Sequence, residues 1–283
     1  MDIFKRKNGF TPILITPPSS LEMPNFRELW EYRGLFLFLI RRDIKLRFQQ
    51  TVIGFLWVVI QPLIQMLIFY VIFAILVKVP TGTLPYQLFF LSGFVVWQFF
   101  YQVVNNSAMS LVSNIGIISK SYFPRLALPL STIANALIDF AVSYLVLLVF
   151  ILINGNYPIT DRYLLLPPLL IIAVLFSSGV GLLFGALMVV FRDTKNFLGF
   201  ILMIWMYVTP VMYPITLAPE KYRFLFYINP LTGLVETFRW VFLGQGDLPK
   251  LEYLLISFFV AVIVWFCGAV AFRSMENKIA DVM

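Results

Sequence analysis

The sequence predicts an all-α integral membrane protein with six transmembrane helices, an N-terminal amphipathic interface helix, and two short re-entrant half-helices between helices 5 and 6. Of its 283 residues, 60% are hydrophobic and only 12% are charged, whereas a soluble domain has roughly 45–50% and 25%. The apolar residues form long runs of about 20, which predict spanning helices, because a membrane barrel shows shorter alternating segments. The basic residues gather on one side of these runs, as they do in multi-pass membrane proteins.

The predicted spans cover residues 52–77, 86–111, 126–153, 164–191, 196–213 and 251–272. An even number of spans puts both chain ends on one side of the membrane. With the N-terminus inside, the inner segments hold fifteen of the 21 Lys and Arg residues. The positive-inside rule therefore predicts that both termini are cytoplasmic. The same distribution explains the net charge of +7 without a nucleic-acid partner.

Three regions follow from this pattern. Residues 1–25 form an N-terminal cytoplasmic extension, since their apolar stretch is too short for a signal peptide. Residues 26–50 carry apolar side chains near helical spacing beside Arg41, Arg42, Lys45 and Arg47, which is typical of an amphipathic helix in the cytoplasmic interface. Such a helix is either a lipid-surface anchor or a docking element. Residues 51–283 form the six-helix transmembrane domain.

About 37 residues separate the fifth and sixth predicted spans, too few for two more crossings. Asn229 before Pro230 is a helix-start signature, because Asn caps helices well and proline suits the first helical position. We therefore predict two half-helices, at 222–228 and 231–243, that dip into the outer leaflet. Segments of this kind line a cavity or pack against protein rather than face lipid.

Polar side chains follow one face of each of the first three spans. They are Trp57, Gln61 and Gln65 in the first, Gln98, Gln102 and Asn105/Asn106 beside Trp97 and Tyr101 in the second, and Ser131, Asn135, Asp139 and Ser143 in the third. A charge at a helix centre costs about 2.5–3.5 kcal/mol on insertion scales, so Asp139 should face the protein interior or water. These polar faces either join helices by hydrogen bonds or line a pathway. Aromatic residues, 17% of the chain, could stack on sugar rings in such a pathway.

Two further patterns concern packing and chemistry. Ser177, Gly181 and Gly185 form a ladder of small residues that lets the fourth span approach another helix closely. The sequence has no phosphate-binding P-loop, no Gly-x-Ser-x-Gly motif and no histidine. The single cysteine, Cys267, allows no intrachain disulfide. We therefore expect no enzyme activity and no cofactor or metal bound by this chain.

Several motifs stand in a characteristic order. They are Arg42–Phe48, Thr51–Gly54 with Trp57, Gln61–Leu63, Phe123–Arg125, Phe191–Asp193, Tyr207–Val211 and Asn229–Pro230. In these positions, from about residue 27 to the C-terminus, the sequence resembles the polysaccharide-export permeases. These proteins are the transmembrane subunits of type-two ATP-binding-cassette exporters in the bacterial inner membrane. The first 25 residues depart from the shortest members of that family.

The resemblance implies a homodimer that binds two cytoplasmic P-loop ATPase subunits, which carry ATP and Mg, and that moves lipid-linked polysaccharide such as O-antigen. It implies that the ATPase is contacted by Glu28, Trp30, Glu31, Tyr32, Arg33, Lys120, Tyr122, Pro124 and Arg125. The expected substrate pathway comprises Trp57, Gln61, Gln65, Trp97, Tyr101, Asp139 and Tyr207. Near the cytoplasmic interface, Arg41, Arg42 and Arg47 would meet the lipid pyrophosphate first.

Three other interpretations remain open at this point. Teichoic-acid export fits the same family. A secondary transporter that uses Asp139 as its proton site would need no ATPase. A membrane scaffold, or a subunit of a lipid-modifying enzyme, would need no pathway, although polar faces on three spans argue against it.

Overall fold

The computed structural model describes residues 30–49, 53–118, 123–155, 161–191, 193–244 and 251–282, and within these ranges every regular element is helical. The α-helices are α1 Arg33–Phe48, α2 Leu56–Phe69, α3 Tyr86–Ser113, α4 Ile115–Ile118, α5 Ala127–Ile153, α6 Leu166–Val190, α7 Thr194–Val208, α8 Glu220–Ile228, α9 Pro230–Leu243 and α10 Leu251–Val282. The predicted all-α class is confirmed. The predicted extension 1–25 and the start of the amphipathic segment lie outside the described residues.

Among the described residues, five helices are long and apolar enough to cross a membrane. They are Leu56–Leu76, Tyr86–Ser113, Ala127–Ile153, Asp161–Val190 and Leu251–Met275. Each of them matches a predicted span to within a few residues. The first combines α2 with a π-helical run, Tyr70–Leu76, and the fourth combines a short 3-10 turn with α6.

Helix α7 is shorter than predicted. The sequence analysis placed the fifth span at 196–213, but α7 ends at Val208. Its 15 residues extend about 22 Å at 1.5 Å per residue, less than the roughly 30 Å of a hydrocarbon core. The helix stops because Thr209 precedes Pro210, which disfavours helical geometry in the residue before it. Accordingly, Thr209 is extended, with a ψ of 131°.

The two short helices α8 and α9 occupy the predicted region between α7 and α10. Asn229 caps α9, since its side-chain oxygen accepts a hydrogen bond from the Leu231 backbone N–H, and Pro230 takes the first helical position. Gly244, with a φ of 66°, ends the helix in the left-handed conformation. This local chemistry confirms the predicted helix start.

Helix α3 lies at the centre of the bundle. Of its most apolar stretch 78% is buried, against 11% for the span that contains α2. It packs against α5, α6 and α9. The predicted ladder of small residues faces it, because a Cβ added to Gly181 would lie 2.7 Å from the Cβ of Ser107. On another side of α6, a Cβ on Gly268 of α10 would come within 2.3 Å of the Gly179 carbonyl oxygen.

A second apolar cluster joins α1 to one end of the bundle. Its buried members are Leu39, Leu111, Phe123, Leu126, Ala127, Leu128, Leu182, Val189, Ala269 and Phe272. Leu39 of α1 is thus packed among residues at the start of α5. Farther along, Arg47 contacts Asp139, which lies about 18 Å along α5 from its first residue at 1.5 Å per residue. Helix α1 therefore runs lengthwise along the first half of α5, from its first residues to Asp139.

Candidate functional site

An open cleft of about 780 Å³ lies among α1, α2, α3 and α5. Its lining consists of Arg42, Asp43, Leu46 and Arg47 of α1, Gln61 of α2, Gln98, Tyr101, Gln102, Asn106, Met109, Ser110 and Ser113 of α3, Asn114, Gly116 and Ile117 after it, and Leu128, Thr132 and Asn135 of α5. We call this the polar cleft. Most of these side chains can form hydrogen bonds, although the surrounding bundle is strongly apolar.

Helix α3 supplies one wall of the polar cleft as a continuous polar stripe. Gln98, Gln102, Asn106, Ser110 and Asn114 recur every four residues and all line the cleft. The stripe extends about 24 Å at the rise of an α-helix. The sequence analysis identified its first half. Ser110 and Asn114 were missed, although the same four-residue spacing leads to them.

One end of the cleft is bounded by an ion pair between two helices. The Arg47 Nη1 donates to Asp139 Oδ2 at 2.6 Å. The Asp139 side chain is only 2% exposed, while that of Arg47 is 39% exposed and lines the cleft. The side chain of Gln102 also interacts with this carboxylate. The expectation that Asp139 faces the protein interior is therefore confirmed, and its partner comes from α1.

The second arginine of the cleft is held differently. The Arg42 Nε and Nη2 donate to Oδ1 of the adjacent Asp43 at 2.9 and 2.6 Å. Both side chains are partly exposed. Removing one partner of a buried pair costs about 3–5 kcal/mol, because the remaining charge is left without compensation. Asp43 is partly exposed, whereas Asp139 is buried, so Arg42 can exchange its carboxylate for another anion more readily than Arg47 can.

The remaining predicted pathway residues lie outside the cleft. Trp57 of α2 and Tyr207 of α7 are exposed, and Gln65 is half-buried. Trp97 is only 3% exposed and packs on Phe100, with ring centroids 5.5 Å apart. It directly precedes Gln98 in the helix, so it points about 100° away from the polar stripe. Trp97 therefore does not line the polar cleft, and its place in a substrate pathway stays a prediction.

The predicted ATPase contacts divide into exposed and packed residues. Trp30 is 71% exposed, and the Arg33 guanidinium lies 5.7 Å from its ring centroid. Glu31 is exposed and Tyr32 packs against the second apolar cluster, as part of the same turn. Pro124 is buried and Arg125 half-buried. Glu28, Lys120 and Tyr122 lie outside the described residues, and Arg41 is exposed on α1.

The site offers hydrogen bonding and anion pairing, and no metal chemistry is evident from its side chains. Within the part of the chain that the structure describes, no group of three or more His, Cys, Asp or Glu residues could hold a metal ion. A ligand of the cleft would meet amides, hydroxyls, one aromatic ring, two guanidinium groups and the carboxylate of Asp43. Such a set suits a hydroxyl-rich molecule that carries a negative charge.

The chain matches the family model described as "ABC-2 type transporter" over residues 34–243. It is 30% identical to an O-antigen export system permease protein RfbA of Klebsiella pneumoniae, over 88% of this chain and 95% of that protein. It is 28% identical to an RfbA of Myxococcus xanthus, over 90% of this chain and 97% of that protein. Similarity at 25% identity extends to the polysialic acid transport protein KpsM of Escherichia coli, over 84% and 92%.

Proposed function

Because this chain belongs to the ABC-2 type transporter family, we propose that it is the transmembrane subunit of an ATP-driven exporter that moves lipid-linked polysaccharide of the O-antigen kind across the bacterial inner membrane. The observation that carries this proposal is the polar cleft, a stripe of amides and hydroxyls inside an apolar helix bundle. Ionisable side chains inside a membrane protein usually face the bundle interior or a water-filled path, and Arg42, Asp43 and Arg47 line this cleft, which supports a substrate path here.

The chemistry of the polar cleft suits a saccharide. Amide side chains both donate and accept hydrogen bonds, as sugar hydroxyls do. Tyr101, partly exposed beside Gln98, offers an aromatic ring for the apolar face of a pyranose. Each contact contributes only about 0.5–1.5 kcal/mol, which lets a polymer slide from one set of partners to the next.

Arg41, Arg42 and Arg47 would receive the lipid pyrophosphate. Arg42 is the best placed of the three, because it lines the cleft and because water can still reach its present partner, the partly exposed Asp43, when the pair breaks. Arg47 lines the cleft too, but it also neutralises Asp139. Arg41 is exposed on the same helix and supports the initial encounter.

Two cytoplasmic P-loop ATPase subunits, which bind ATP and Mg, would supply the energy, since the sequence lacks a P-loop. Their proposed contacts are Glu28, Trp30, Glu31, Tyr32, Arg33, Lys120, Tyr122, Pro124 and Arg125. Of these, Trp30 is an exposed aromatic residue, a type enriched where proteins meet. Both chain termini would then be cytoplasmic.

A second copy of the chain would cover the exposed faces of α2 and α7. Their exposed side chains include Trp57, Ile64, Leu67 and Ile68 on α2, and Phe197, Phe200, Met203, Ile204 and Tyr207 on α7. In a dimer, Trp57, Gln61, Gln65 and Tyr207 would line the path between the copies. Helix α7 with residues 209–213 would make the fifth of six crossings, and α8 and α9 would form the re-entrant pair on the outer side.

Co-purification from mild detergent tests the proposal. The tagged chain is expected to bring down a P-loop ATPase in equimolar amount, and the complex should hydrolyse ATP. As a matched pair, Trp30→Ala should reduce recovery of the ATPase, whereas Leu152→Ala, exposed at the other end of α5, should not. A permease that purifies alone and still transports would contradict the proposal.

Transport assays separate the alternatives. A secondary transporter with Asp139 as its proton site would lose transport in Asp139→Asn regardless of ATP. The ion pair with Arg47 favours a structural role for this carboxylate instead. Teichoic acid remains an alternative cargo within the family, and export assays with lipid-linked glycans of each class distinguish the two.

A further inference from the structure

A buried arginine lies on α9, remote from the residues that line the polar cleft. Arg239 is only 6% exposed, although it is a charged residue in an apolar surrounding. A buried charge persists only where partners compensate for its lost hydration. The partners of Arg239 therefore indicate what its position achieves.

These partners come from three different parts of the chain. The Nη1 of Arg239 lies 2.7 Å from Glu236 Oε1, one turn earlier on α9. Its Nη2 donates to the carbonyl oxygens of Pro210 and Val211 at 3.1 and 3.4 Å. The flat face of the guanidinium lies over the Phe89 ring of α3, 3.8 Å from the centroid.

The two carbonyls belong to the segment that follows the end of α7. Backbone carbonyls outside a helix have no intrahelical partner and need other donors, above all away from water. Arg239 supplies these donors for Pro210 and Val211. Its planar fork can reach both oxygens and Glu236 at once, which the single ammonium of a lysine cannot do equally well.

Other side chains hold the same segment from both ends. The Tyr86 hydroxyl donates to the Met212 carbonyl at 3.0 Å. The Asn229 Nδ2 donates to Thr209 Oγ1 at 3.0 Å, and Asn229 Oδ1 accepts from Trp205 Nε1 at 3.1 Å. The cap of α9 is thereby tied to the last turn of α7.

Gly93 of α3 makes room for this arrangement. A Cβ at this position would lie 2.8 Å from Arg239 Nη2 and 3.4 Å from the Val211 Cα. Any side chain here would push the guanidinium away from the two carbonyls. The absence of a side chain on α3 is therefore part of the same contact.

We propose that Arg239 is a positioning residue for transport, which, together with Glu236, Phe89 and Gly93, fixes residues 209–213 to α3 and α9 so that the end of α7 and helix α9 move as one body. We call these four residues the Arg239 bracket. The role in transport rests on the proposed export function. The contact between the Arg239 bracket and residues 209–213 can be measured without any export assay.

The test uses the full chain with its ATPase partner, in a Cys267→Ser background that carries Met212→Cys as a reporter. Met212 is buried, so a soluble maleimide should label the new thiol slowly. Arg239→Gln and Gly93→Ala should each raise the labelling rate at least tenfold and lower export at least tenfold, while the ATPase still co-purifies. Arg239→Lys should restore part of both quantities.

Arg223→Gln is the matched control. Arg223 also donates to backbone carbonyls, those of Ala218 and Thr216, but it belongs to α8 and lies outside the bracket. In the Arg223→Gln variant, the reporter cysteine at position 212 should be labelled at the same rate as in the parent protein. The double variant Arg239→Gln with Gly93→Ala should be no worse than Arg239→Gln alone, because both substitutions disrupt one contact.

The outcomes separate the two levels of inference. Unchanged labelling in Arg239→Gln and Gly93→Ala would overturn the bracket. Faster labelling with normal export would overturn the positioning role. A parent protein that exports no polysaccharide would contradict the proposed function, while the labelling result would still decide the bracket. Gly93→Ala keeps every polar group of the bracket. It therefore tests the bracket if the Arg239→Gln variant does not fold or does not bind the ATPase.

Discussion

Arg47 and Asp139 are 92 residues apart in sequence, yet their side chains meet at 2.6 Å and join α1 to the middle of α5. The carboxylate is buried and the guanidinium faces the polar cleft. Because four of the proposed ATPase contacts, Trp30 to Arg33, lie directly before α1 and at its first residue, this pair links the turn at Trp30 to the membrane bundle. Its removal should affect both stability and coupling.

Arg47→Met should destabilise the purified permease by up to about 3–5 kcal/mol, since it leaves Asp139 charged and buried. The partial exposure of Arg47 places the effect toward the lower end. Arg41→Met, on an exposed position of the same helix, should change stability by less than about 0.5 kcal/mol. Denaturant titration in detergent measures both variants. The double variant Arg47→Met with Asp139→Leu should recover most of the loss, and equal stability of Arg47→Met and Arg41→Met would refute the role of the pair.

Asp43→Asn should tighten the response to lipid-linked substrate, because it frees Arg42 to pair with a phosphate. We expect the substrate concentration for half-maximal ATPase stimulation to fall by a few-fold, and to rise at least as much in Arg42→Gln. The physical reason is that a charge-assisted bond to phosphate replaces the bond to Asp43, a partly exposed carboxylate. An increase in this concentration for Asp43→Asn would show that the two residues act as one binding unit instead.

Gln98→Leu and Asn106→Leu should each lower export by roughly 2- to 10-fold, the effect of about 0.5–1.5 kcal/mol for each lost hydrogen bond. Their combination should multiply the losses, because the side chains act at separate points of the stripe. Val149→Ala, at an exposed position of α5 outside the cleft, serves as the control. Full export by the double variant, with normal amounts of protein, would argue that the stripe only joins helices.

Gly268→Ala should destabilise the permease strongly, since the added methyl group would meet the Gly179 carbonyl at 2.3 Å and force α6 and α10 apart. Gly34→Ala in α1 has no neighbour within 4 Å of the added carbon. It should leave stability unchanged or raise it by about 0.5–1 kcal/mol, as alanine favours the helix. The two apparent melting temperatures of the permease alone provide the comparison. Similar melting temperatures for Gly268→Ala and Gly34→Ala would mean that α6 and α10 can move apart without loss of stability.

The spans and the polar stripe could be predicted because both are periodic in sequence. Hydrophobic runs locate α2, α3, α5, α6 and α10, and four-residue spacing identifies the stripe. The identity of the partner of Asp139 could not be predicted, since the contact with Arg47 depends on how α1 docks on α5. The cost of a buried charge indicates that Asp139 needs either a partner or water. It does not indicate which residue the partner is.

Two differences between prediction and structure have different causes. The early end of α7 was readable, because Pro210 restricts Thr209, but the apolar residues that follow obscured the signal. Trp97 is buried outside the polar cleft, whereas Tyr101, which is equally adjacent to a glutamine, lines it, so adjacency to polar residues does not decide which aromatic ring faces the cleft. The role of Arg239 depends on carbonyls contributed by another segment, which no spacing within α9 reveals.

The central place of α3 has a consequence for how the protein is made. This helix has the lowest mean hydropathy of the five candidate spans and is the most buried of them. The translocon releases segments into lipid according to their own hydrophobicity. Of the five spans, α3 is therefore the least able to move from the translocon into lipid without other helices. We expect it to stay near the translocon until α5 and α6 have been synthesised and can enclose its polar stripe. Ribosome-bound chains that end before α6 should therefore expose α3 to water-soluble reagents, although the finished protein shields it.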